Sequence, residues 1–328
     1  MAFALQPPPD SPQLVGIARL AAKSKTLRAK REVEYLELPS RSILNRCSNP
    51  RMPFKWTINP YRGCEIGCKY CYARYTHEFM GLDDGRLFEE RIYAKQNAAD
   101  LLRSDLRRRR EGAIAIGTST DPYQPAERRY RLTRALLEVF GEQRGRSVSI
   151  TTKSDLVARD LDLLRRIGER NEVSVNMTVT TRDERLARLL EPRAPRPELR
   201  LDAVRRLAEA GIAVGVFANP IMPVITSNYA NLDAVAGAAR RAGATYFGGG
   251  TLFLKTSAQQ QFFPFLDEEF PDLAAQYRKQ YERHAYLRGE YAERLQARVT
   301  EIREKHGLAT RPDPREDLAG DGQLSLFE

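Results

Sequence analysis

Short apolar runs alternate with amphipathic stretches along the chain from Trp56 onward. In AADLLRSDLRR, LTRALLEVF, ARDLDLLRRIG and RLDAVRRLAEAG the apolar residues recur three or four positions apart, which is the period of an amphipathic helix. Strands that alternate with such helices predict βαβ units and a parallel sheet. We therefore predict an α/β fold, an open and partial barrel of about six βα units. The predicted strands are residues 57–59, 113–118, 147–152, 173–179, 213–219 and 245–254.

The segments on either side of this pattern differ from it in composition. Residues 1–54 are proline-rich and then basic, with no clear apolar period, and we predict that they form a surface extension. The barrel is predicted over residues 55–255, with a loop at EPRAPRP (191–197) because proline interrupts helices. Residues 256–306 are predicted to form a helical cover. Residues 307–328, a polar segment containing Asp, Gly and Pro, are predicted to form a flexible tail.

The charge of the chain favours polyanionic partners. Lys and Arg outnumber Asp and Glu by 53 to 43, which gives a formal net charge of +10. Such a protein gains affinity for DNA through the release of counterions. The densest run of cations extends from Arg107 to Arg110, at the end of a predicted helix. Cations there also stabilise the helix dipole, so a solvated helix end is the alternative interpretation of this run.

Cysteine content and hydropathy indicate the compartment. Four cysteines in 328 residues are too few for a disulfide scaffold, and their clustering is typical of a metal or redox centre in a reducing environment. No stretch reaches the roughly 18 apolar residues of a membrane span, and the first residues lack the pattern of a secretory leader. We therefore predict a cytoplasmic protein with no membrane partner.

Three of the four cysteines lie within eight positions. Cys64, Cys68 and Cys71 form a C-x3-C-x2-C pattern directly after the first predicted strand, where active-site loops of parallel α/β folds lie. Three thiolates can hold three irons of a cuboidal cluster and leave the fourth iron open to a ligand. The alternative is structural zinc with Cys47 as the fourth ligand, although Cys47 precedes Cys64 by 17 positions.

This loop resembles the signature of the radical S-adenosylmethionine (SAM) superfamily, C-x3-C-x-aromatic-C, with Tyr70 at the aromatic position. The resemblance implies a partial (β/α)6 TIM-like barrel in which the three cysteines hold a 4Fe-4S cluster. It implies that the open iron chelates SAM and that Tyr70 lies near the adenine. An electron donor such as flavodoxin or ferredoxin would then allow reductive cleavage of SAM to methionine and a 5′-deoxyadenosyl radical.

Further motifs resemble the spore photoproduct lyase-like branch of that superfamily. They are NPYRGCEIGCKYCYAR, GTSTDPYQPAE, TTKSDLVARDLDLL, EPRAPRPELRLDAVRRLAEAGI and VFANPIMPV. The resemblance implies that Tyr70 and Tyr72 are catalytic and that the substrate is a DNA lesion or modified base. The chain departs from the lyase at Thr118, which replaces the cysteine that returns a hydrogen atom to the product. A threonine hydroxyl is a far worse hydrogen-atom donor than a thiol, which argues against activity on spore photoproduct itself.

The same resemblance implies a set of residues that hold the cofactor. Thr120 and Lys153 match positions that contact SAM in the lyase, and Asn176 lies on the next strand, where a polar contact is expected. Thr118 is also a candidate for holding the cofactor. Asp121 and Glu127 flank a Pro-Tyr-Gln-Pro turn. Both are candidates for the site, Asp121 in a catalytic role, although aspartate before proline is also an ordinary start of a turn.

The sequence QLSLF at 323–327 places three large apolar side chains after a polar segment. It resembles the motif by which bacterial proteins bind the DNA polymerase III sliding clamp. The resemblance implies that the anchors are Gln323, Leu324, Leu326 and Phe327, bound in extended form with side chains in pockets. The alternative is that these residues pack on the barrel of their own chain.

Three hypotheses for function follow. The first is a radical SAM enzyme that acts on DNA and is recruited by the sliding clamp. The second keeps that chemistry but takes RNA or protein as substrate. The third is a non-catalytic adaptor at the clamp, in which the cysteines bind a structural metal.

Overall fold

A computed structural model of the protein describes residues 14–30, 32–50, 52–108 and 111–312. In these ranges the strands are β1 (Thr26–Lys30), β2 (Val33–Glu37), β3 (Asn45–Arg46), β4 (Trp56–Ile58), β5 (Tyr61–Arg62), β6 (Arg91–Ala94), β7 (Ile114–Ile116), β8 (Ser147–Thr152), β9 (Glu172–Thr178), β10 (Ala213–Phe217) and β11 (Tyr246–Gly248). The α-helices are α1 (Gly16–Ala22), α2 (Tyr75–Glu78), α3 (Leu87–Glu90), α4 (Ala98–Arg108), α5 (Glu127–Tyr130), α6 (Leu132–Gly141), α7 (Leu161–Gly168), α8 (Glu184–Leu190), α9 (Pro197–Glu209), α10 (Tyr229–Arg241), α11 (Thr256–Glu269), α12 (Pro271–Tyr281) and α13 (Glu290–Lys305).

The larger sheet is the predicted partial barrel. Its strand order is β11-β10-β9-β8-β7-β4-β3, and the six strands from β4 to β11 are parallel, which confirms the predicted α/β architecture. Ile58, Ile116, Ile150 and Val175 lie side by side on neighbouring strands and are all fully buried. A row of branched apolar side chains fills a parallel sheet that helices cover, so these short runs gain their stability from burial.

The last predicted strand is longer than the observed one. Residues 245–254 were predicted, whereas β11 spans Tyr246–Gly248 and is followed only by isolated bridges at Thr251 and Phe253. The reason is the run Gly248 to Gly250, which has no side chains to pack on a sheet. The chain therefore leaves the sheet at its carboxyl end, beside the loops of the other strands.

The N-terminal region contains more regular structure than the predicted surface extension. β1 and β2 join β5 and β6 in a second sheet of order β1-β2-β6-β5, in which Tyr35 lies beside Ile92. Both side chains are buried there. A strand of five residues gives little local signal, and its partner β6 lies more than 50 positions later. The pairing therefore depends on tertiary packing.

The predicted helical cover is formed by α11, α12 and α13. Phe262, Tyr277 and Tyr281 from the first two of these helices are buried in one apolar cluster with Cys64 and Cys68. α11 and α12 thus shield the cysteine loop from solvent. Among the described residues, no helix is both long and apolar enough to cross a membrane.

A buried amine lies between the two sheets. Lys95 follows β6, is only 6% exposed, and its Nζ donates to the carbonyl oxygen of Asn59 at 2.7 Å. Burial, with a smaller contribution from the nearby Arg62 guanidinium, lowers the pKa of Lys95 to about 7. In the unfolded chain the pKa returns to about 10.4. Between these values the unfolded chain binds one more proton than the folded protein, so the amine makes stability rise with pH.

We expect the Lys95→Met variant to lose this pH dependence. Between pH 7.5 and 9 the free energy of unfolding of the wild-type protein should rise more steeply than that of the variant. The difference in slope should approach 1.4 kcal/mol per pH unit, the limit for a single proton. Urea unfolding of both proteins at several pH values measures it. Parallel slopes would contradict a depressed pKa at Lys95.

Candidate active site

The cysteine loop begins where β5 ends, at the carboxyl end of the barrel. Gly63 has a φ of +79°, and a Cβ at this position would lie 2.5 Å from the carbonyl oxygen of Arg91. The next amide, of Cys64, donates to the carbonyl oxygen of Phe88 at 2.8 Å. Glycine is therefore required for the loop to lie against the chain before β6. This contact fixes the first cysteine.

All three thiols of the loop point into the protein. Cys64 and Cys68 are each 8% exposed, and Cys71 is half-buried. Burial raises the pKa of all three thiols, and the mutual proximity of the three groups raises that of Cys64 further. Lys153 opposes this effect at Cys68 and Cys71, and Arg74 opposes it at Cys71. The site therefore holds three potential thiolates with two cations beside them.

This donor set suits an iron–sulfur cluster better than a single zinc ion. Zinc binds sulfur at about 2.3 Å, so the ligands of one zinc ion crowd together. In the described part of the chain no three Cys, His, Asp or Glu side chains are grouped so as to hold one ion. Thiolates that each bind a different iron of a cuboidal cluster stand farther apart.

Cys47 does not lie with the other cysteines. Its amide donates to the carbonyl oxygen of Lys55 at 2.9 Å, and its Sγ contacts the carbonyl oxygen of Asn49 at 4.0 Å. Lys55 precedes β4, whereas the cysteine loop follows it. Cys47 therefore lies at the other end of that strand, which argues against it as a fourth metal ligand.

Tyr70 is anchored by a buried ion pair. Its hydroxyl donates a short hydrogen bond to Glu191, which is paired with Arg200 at 2.5 Å. The two charged side chains are each 1% exposed. Arg200 also donates to the carbonyl oxygens of Thr178 and Pro195, at 3.1 and 2.8 Å. Because the charges are paired and bonded, they fix the ring of Tyr70 beside the cysteines.

Lys153 lies on the same side of the site. Its Nζ is 5.7 Å from the centre of the Tyr70 ring. Burial alone would lower the pKa of Lys153, but Cys68, Glu191 and Asp121, which are negative when ionised, outweigh it, and the net shift is upward. The Lys153 side chain is therefore positively charged, which is the state that binds a carboxylate.

Asp121 joins the ends of two strands. Its carboxylate accepts hydrogen bonds from the Thr152 hydroxyl, the Lys153 amide and the Tyr123 amide, at 2.7, 2.7 and 2.8 Å. Burial raises the pKa of Asp121, and these bonds oppose the rise. The carboxylate thus holds the ends of β7 and β8 together and sets the position of Lys153.

Asn59 organises the strand end that carries Thr118 and Thr120. Its Oδ1 accepts from the Ser119 amide at 2.9 Å and the Thr120 amide at 3.3 Å, and its Nδ2 donates to the Thr118 hydroxyl at 3.1 Å. The Thr120 hydroxyl donates to the carbonyl oxygen of Tyr61 at 3.1 Å. Tyr72 donates to the carbonyl oxygen of Thr118. Thr118 and Tyr72 are therefore neighbours, as the predicted site requires.

Asn176 and Glu127 lie deeper in the fold. Asn176 is fully buried, accepts from the Tyr246 hydroxyl at 2.8 Å and donates to the carbonyl oxygen of Ile150 at 3.3 Å. Glu127 accepts from the Tyr61 hydroxyl at 2.5 Å and pairs with Arg159 at 2.9 Å. The Glu127 carboxylate thus stabilises the interior rather than facing the cysteines. A cofactor contact at Asn176 stays a prediction.

Four residues of this site were absent from the sequence-based candidates: Asn59, Arg74, Glu191 and Arg200. Glu191 is the first residue of the proline-containing segment 191–197, which was predicted to be a loop and supplied no candidate residue. Its one local signal is an acidic residue in an otherwise basic and proline-rich segment. The predicted clamp anchors Gln323, Leu324, Leu326 and Phe327 lie outside the described residues.

Comparisons with known proteins agree with this geometry. Residues 58–237 match the family model described as the Radical SAM superfamily. Over 320 residues the chain is 36% identical to "Uncharacterized protein Rv2578c" of Mycobacterium tuberculosis (strain ATCC 25618 / H37Rv), covering 95% of this chain and 93% of that protein. It is 28% identical over 241 residues to "Uncharacterized protein MJ0683" of Methanocaldococcus jannaschii, covering 74% of this chain and 85% of that protein.

Among solved structures, the fold is similar to that of spore photoproduct lyase complexed with dinucleoside spore photoproduct. The TM-score is 0.64, and the match covers 85% of this chain and 82% of the lyase. Sequence identity is 16%, so this likeness describes the fold alone.

Proposed function

Because the chain belongs to the radical SAM superfamily, we propose that it is a 4Fe-4S enzyme that removes a hydrogen atom from a lesion or modified base in DNA. The observation that carries the chemistry is the loop of three inward-facing cysteines with Lys153 and Arg74 beside it. Two further features support DNA as the substrate. They are the shared fold with a lyase solved with a dinucleoside photoproduct and the net charge of +10.

Cys64, Cys68 and Cys71 would hold the cluster. When bound, the cluster and SAM supply one-electron chemistry that can remove a hydrogen atom from an unactivated carbon. A small redox protein such as flavodoxin or ferredoxin would supply the electron. The protein itself binds and orients the cofactor and the substrate, and it excludes water from the site. The apolar side chains of α11 and α12 over the cysteine loop exclude the water.

The remaining residues hold the cofactor from two sides. Lys153, whose position is fixed by Asp121, would bind the carboxylate of SAM. Tyr70, which is fixed by Glu191, would border the adenine. Thr118 and Thr120, which Asn59 holds in place by hydrogen bonds, would contact the cofactor from the end of the neighbouring strand. Tyr72 is 37% exposed and contacts Thr118, so it would face the substrate, where Thr118 replaces the donor cysteine of the lyase.

The test is the formation of 5′-deoxyadenosine by anaerobically reconstituted protein with reductant and SAM. We expect UV-irradiated duplex DNA to stimulate it severalfold relative to intact DNA of the same sequence. RNA of that sequence and protein without nucleic acid serve as controls. Stimulation by RNA alone would contradict the DNA substrate. Absence of product from a fully loaded cluster would contradict the enzyme.

We further propose that residues 323–327 bind the bacterial sliding clamp. Replacing Leu326 and Phe327 by alanine should weaken binding to purified clamp by at least about 100-fold, since each buried apolar side chain contributes about 1.5–3 kcal/mol. The matched control is Glu328→Gln, next to the motif and outside it. Surface plasmon resonance measures both variants. Equal affinities would mean that the motif does not bind the clamp.

A further inference from the structure

A cavity lined by arginines lies at the amino-terminal end of the barrel. It has a volume of about 470 Å³ and lies between the end of α4 and the segment that leads into β8. Four of its lining residues are Arg103, Arg107, Arg144 and Arg146, and its one lining carboxylate is Glu142. We refer to it as the arginine cavity.

Only part of this positive charge is compensated within the protein. Arg103 pairs with Glu142 at 2.9 Å and with Asp100 at 3.3 Å. Arg146 donates to the carbonyl oxygen of Leu106 at 3.2 Å. Arg107 and Arg144 are both exposed, and neither has an acceptor among the residues that the structure describes. The lining therefore carries four cations against one anion, and two guanidinium groups are available to a ligand.

A solvated helix end does not account for this arrangement. The dipole of α4 stabilises cations in its own last turn, where Arg107 lies. Arg144 and Arg146 come from another segment, after α6, and their approach to Arg107 adds repulsion between like charges. The hydrogen bond from Arg103 lowers the pKa of Glu142, and Arg166 adds a further cation close to Glu142 that lowers it slightly more. An anion in the cavity would relieve this repulsion.

The arginine cavity is separate from the cysteine site. The helices of the barrel run back from the carboxyl ends of the strands, so the end of α4 and the start of β8 lie at the opposite face. The six residues of β8 alone span about 20 Å between the two faces. A ligand in the cavity would therefore not compete with SAM or with a base at the cysteine site.

We propose that the arginine cavity binds phosphates of the DNA backbone, away from the site of chemistry. Arginine presents paired N–H donors that match phosphate oxygens, and the cavity offers several such groups in one concave surface. The sequence continues the run with Arg109 and Arg110, which lie outside the described residues. The proposal rests on the proposed function only in naming DNA as the source of the phosphates.

The experiment measures the salt dependence of DNA binding by the cluster-loaded, full-length protein. The variant is Arg107→Gln/Arg144→Gln, which removes the two available guanidinium groups. The matched control is Arg240→Gln/Arg241→Gln, which removes two exposed arginines from the last turn of α10. Fluorescence anisotropy with an undamaged 20-base-pair duplex is recorded between 50 and 200 mM KCl. Iron content and the urea unfolding midpoint verify that each variant is intact.

We expect the slope of log K against log salt to fall by about two in the cavity variant, one for each lost phosphate contact. Affinity at 50 mM salt should fall about tenfold, and the α10 control should keep the wild-type slope. Equal slopes for all three proteins would overturn the proposal. This result is independent of whether damaged DNA stimulates SAM cleavage, so the two proposals can fail separately.

A free oligophosphate could supply the same chemistry as the DNA backbone. Tripolyphosphate is therefore titrated as a competitor against the duplex. Competition that is lost in the cavity variant, together with the reduced slope, supports DNA phosphates in the cavity. Tripolyphosphate binding that depends on Arg107 and Arg144, with an unchanged DNA slope, would overturn DNA as the occupant.

Discussion

The Cys71→Ala variant is expected to form 5′-deoxyadenosine only at the background rate, at least about 1,000-fold below the wild-type protein. The reason is that three thiolates are the minimum that holds a cuboidal cluster with one open iron. Removal of one leaves only two thiolate ligands in the loop. The measurement is product formation with excess reductant, alongside iron content and the visible absorption of the cluster.

Cys47→Ala is the matched control for this substitution. Cys47 is also a free cysteine, but it lies beside Lys55 at the opposite end of β4. The control should retain the iron content and product formation of the wild-type protein. Loss of the cluster in Cys47→Ala, or its retention in Cys71→Ala, would contradict the assignment of ligands to the loop.

The Arg200→Met variant is expected to lose about 3–5 kcal/mol of unfolding free energy, because it leaves Glu191 buried without its counterion. Arg200 and Glu191 are each 1% exposed, so water cannot replace the missing charge. The Glu191 carboxylate would then no longer be held in one position by Arg200, and the hydroxyl of Tyr70 would lose the acceptor that fixes it. Urea unfolding measures the loss of stability, and the affinity for SAM measures the effect on Tyr70.

Two further variants separate the buried pair from charge in general. The double variant Glu191→Gln/Arg200→Met should recover part of the lost stability, since two neutral partners cost less than one unpaired charge. Arg205→Gln removes an exposed arginine of the same helix, paired with Asp202 and Glu209, and should leave the urea midpoint unchanged. A midpoint of Arg200→Met equal to that of Arg205→Gln would contradict the role of the pair.

Local patterns in the sequence determined the helices and strands of the barrel. α4 coincides with the predicted AADLLRSDLRR, and β8 coincides with the predicted residues 147–152. The cysteine loop could also be placed, because its spacing is local and a strand directly precedes it. Helix and strand periods are set by neighbouring residues in the chain, so a short window of sequence carries them.

Only the tertiary structure decided which distant residues meet. Glu191 bonds to Tyr70 across 121 positions, and Asn59 bonds to Thr118 across 59. Arg107 and Arg144 line one cavity although Arg107 lies in the last turn of α4 and Arg144 lies between α6 and β8. Each pairing follows from the order of the strands and from the loops between them. Hydrophobic periodicity defines the buried face of an element but not its neighbour, so the partners of polar side chains are fixed only when the sheet is assembled.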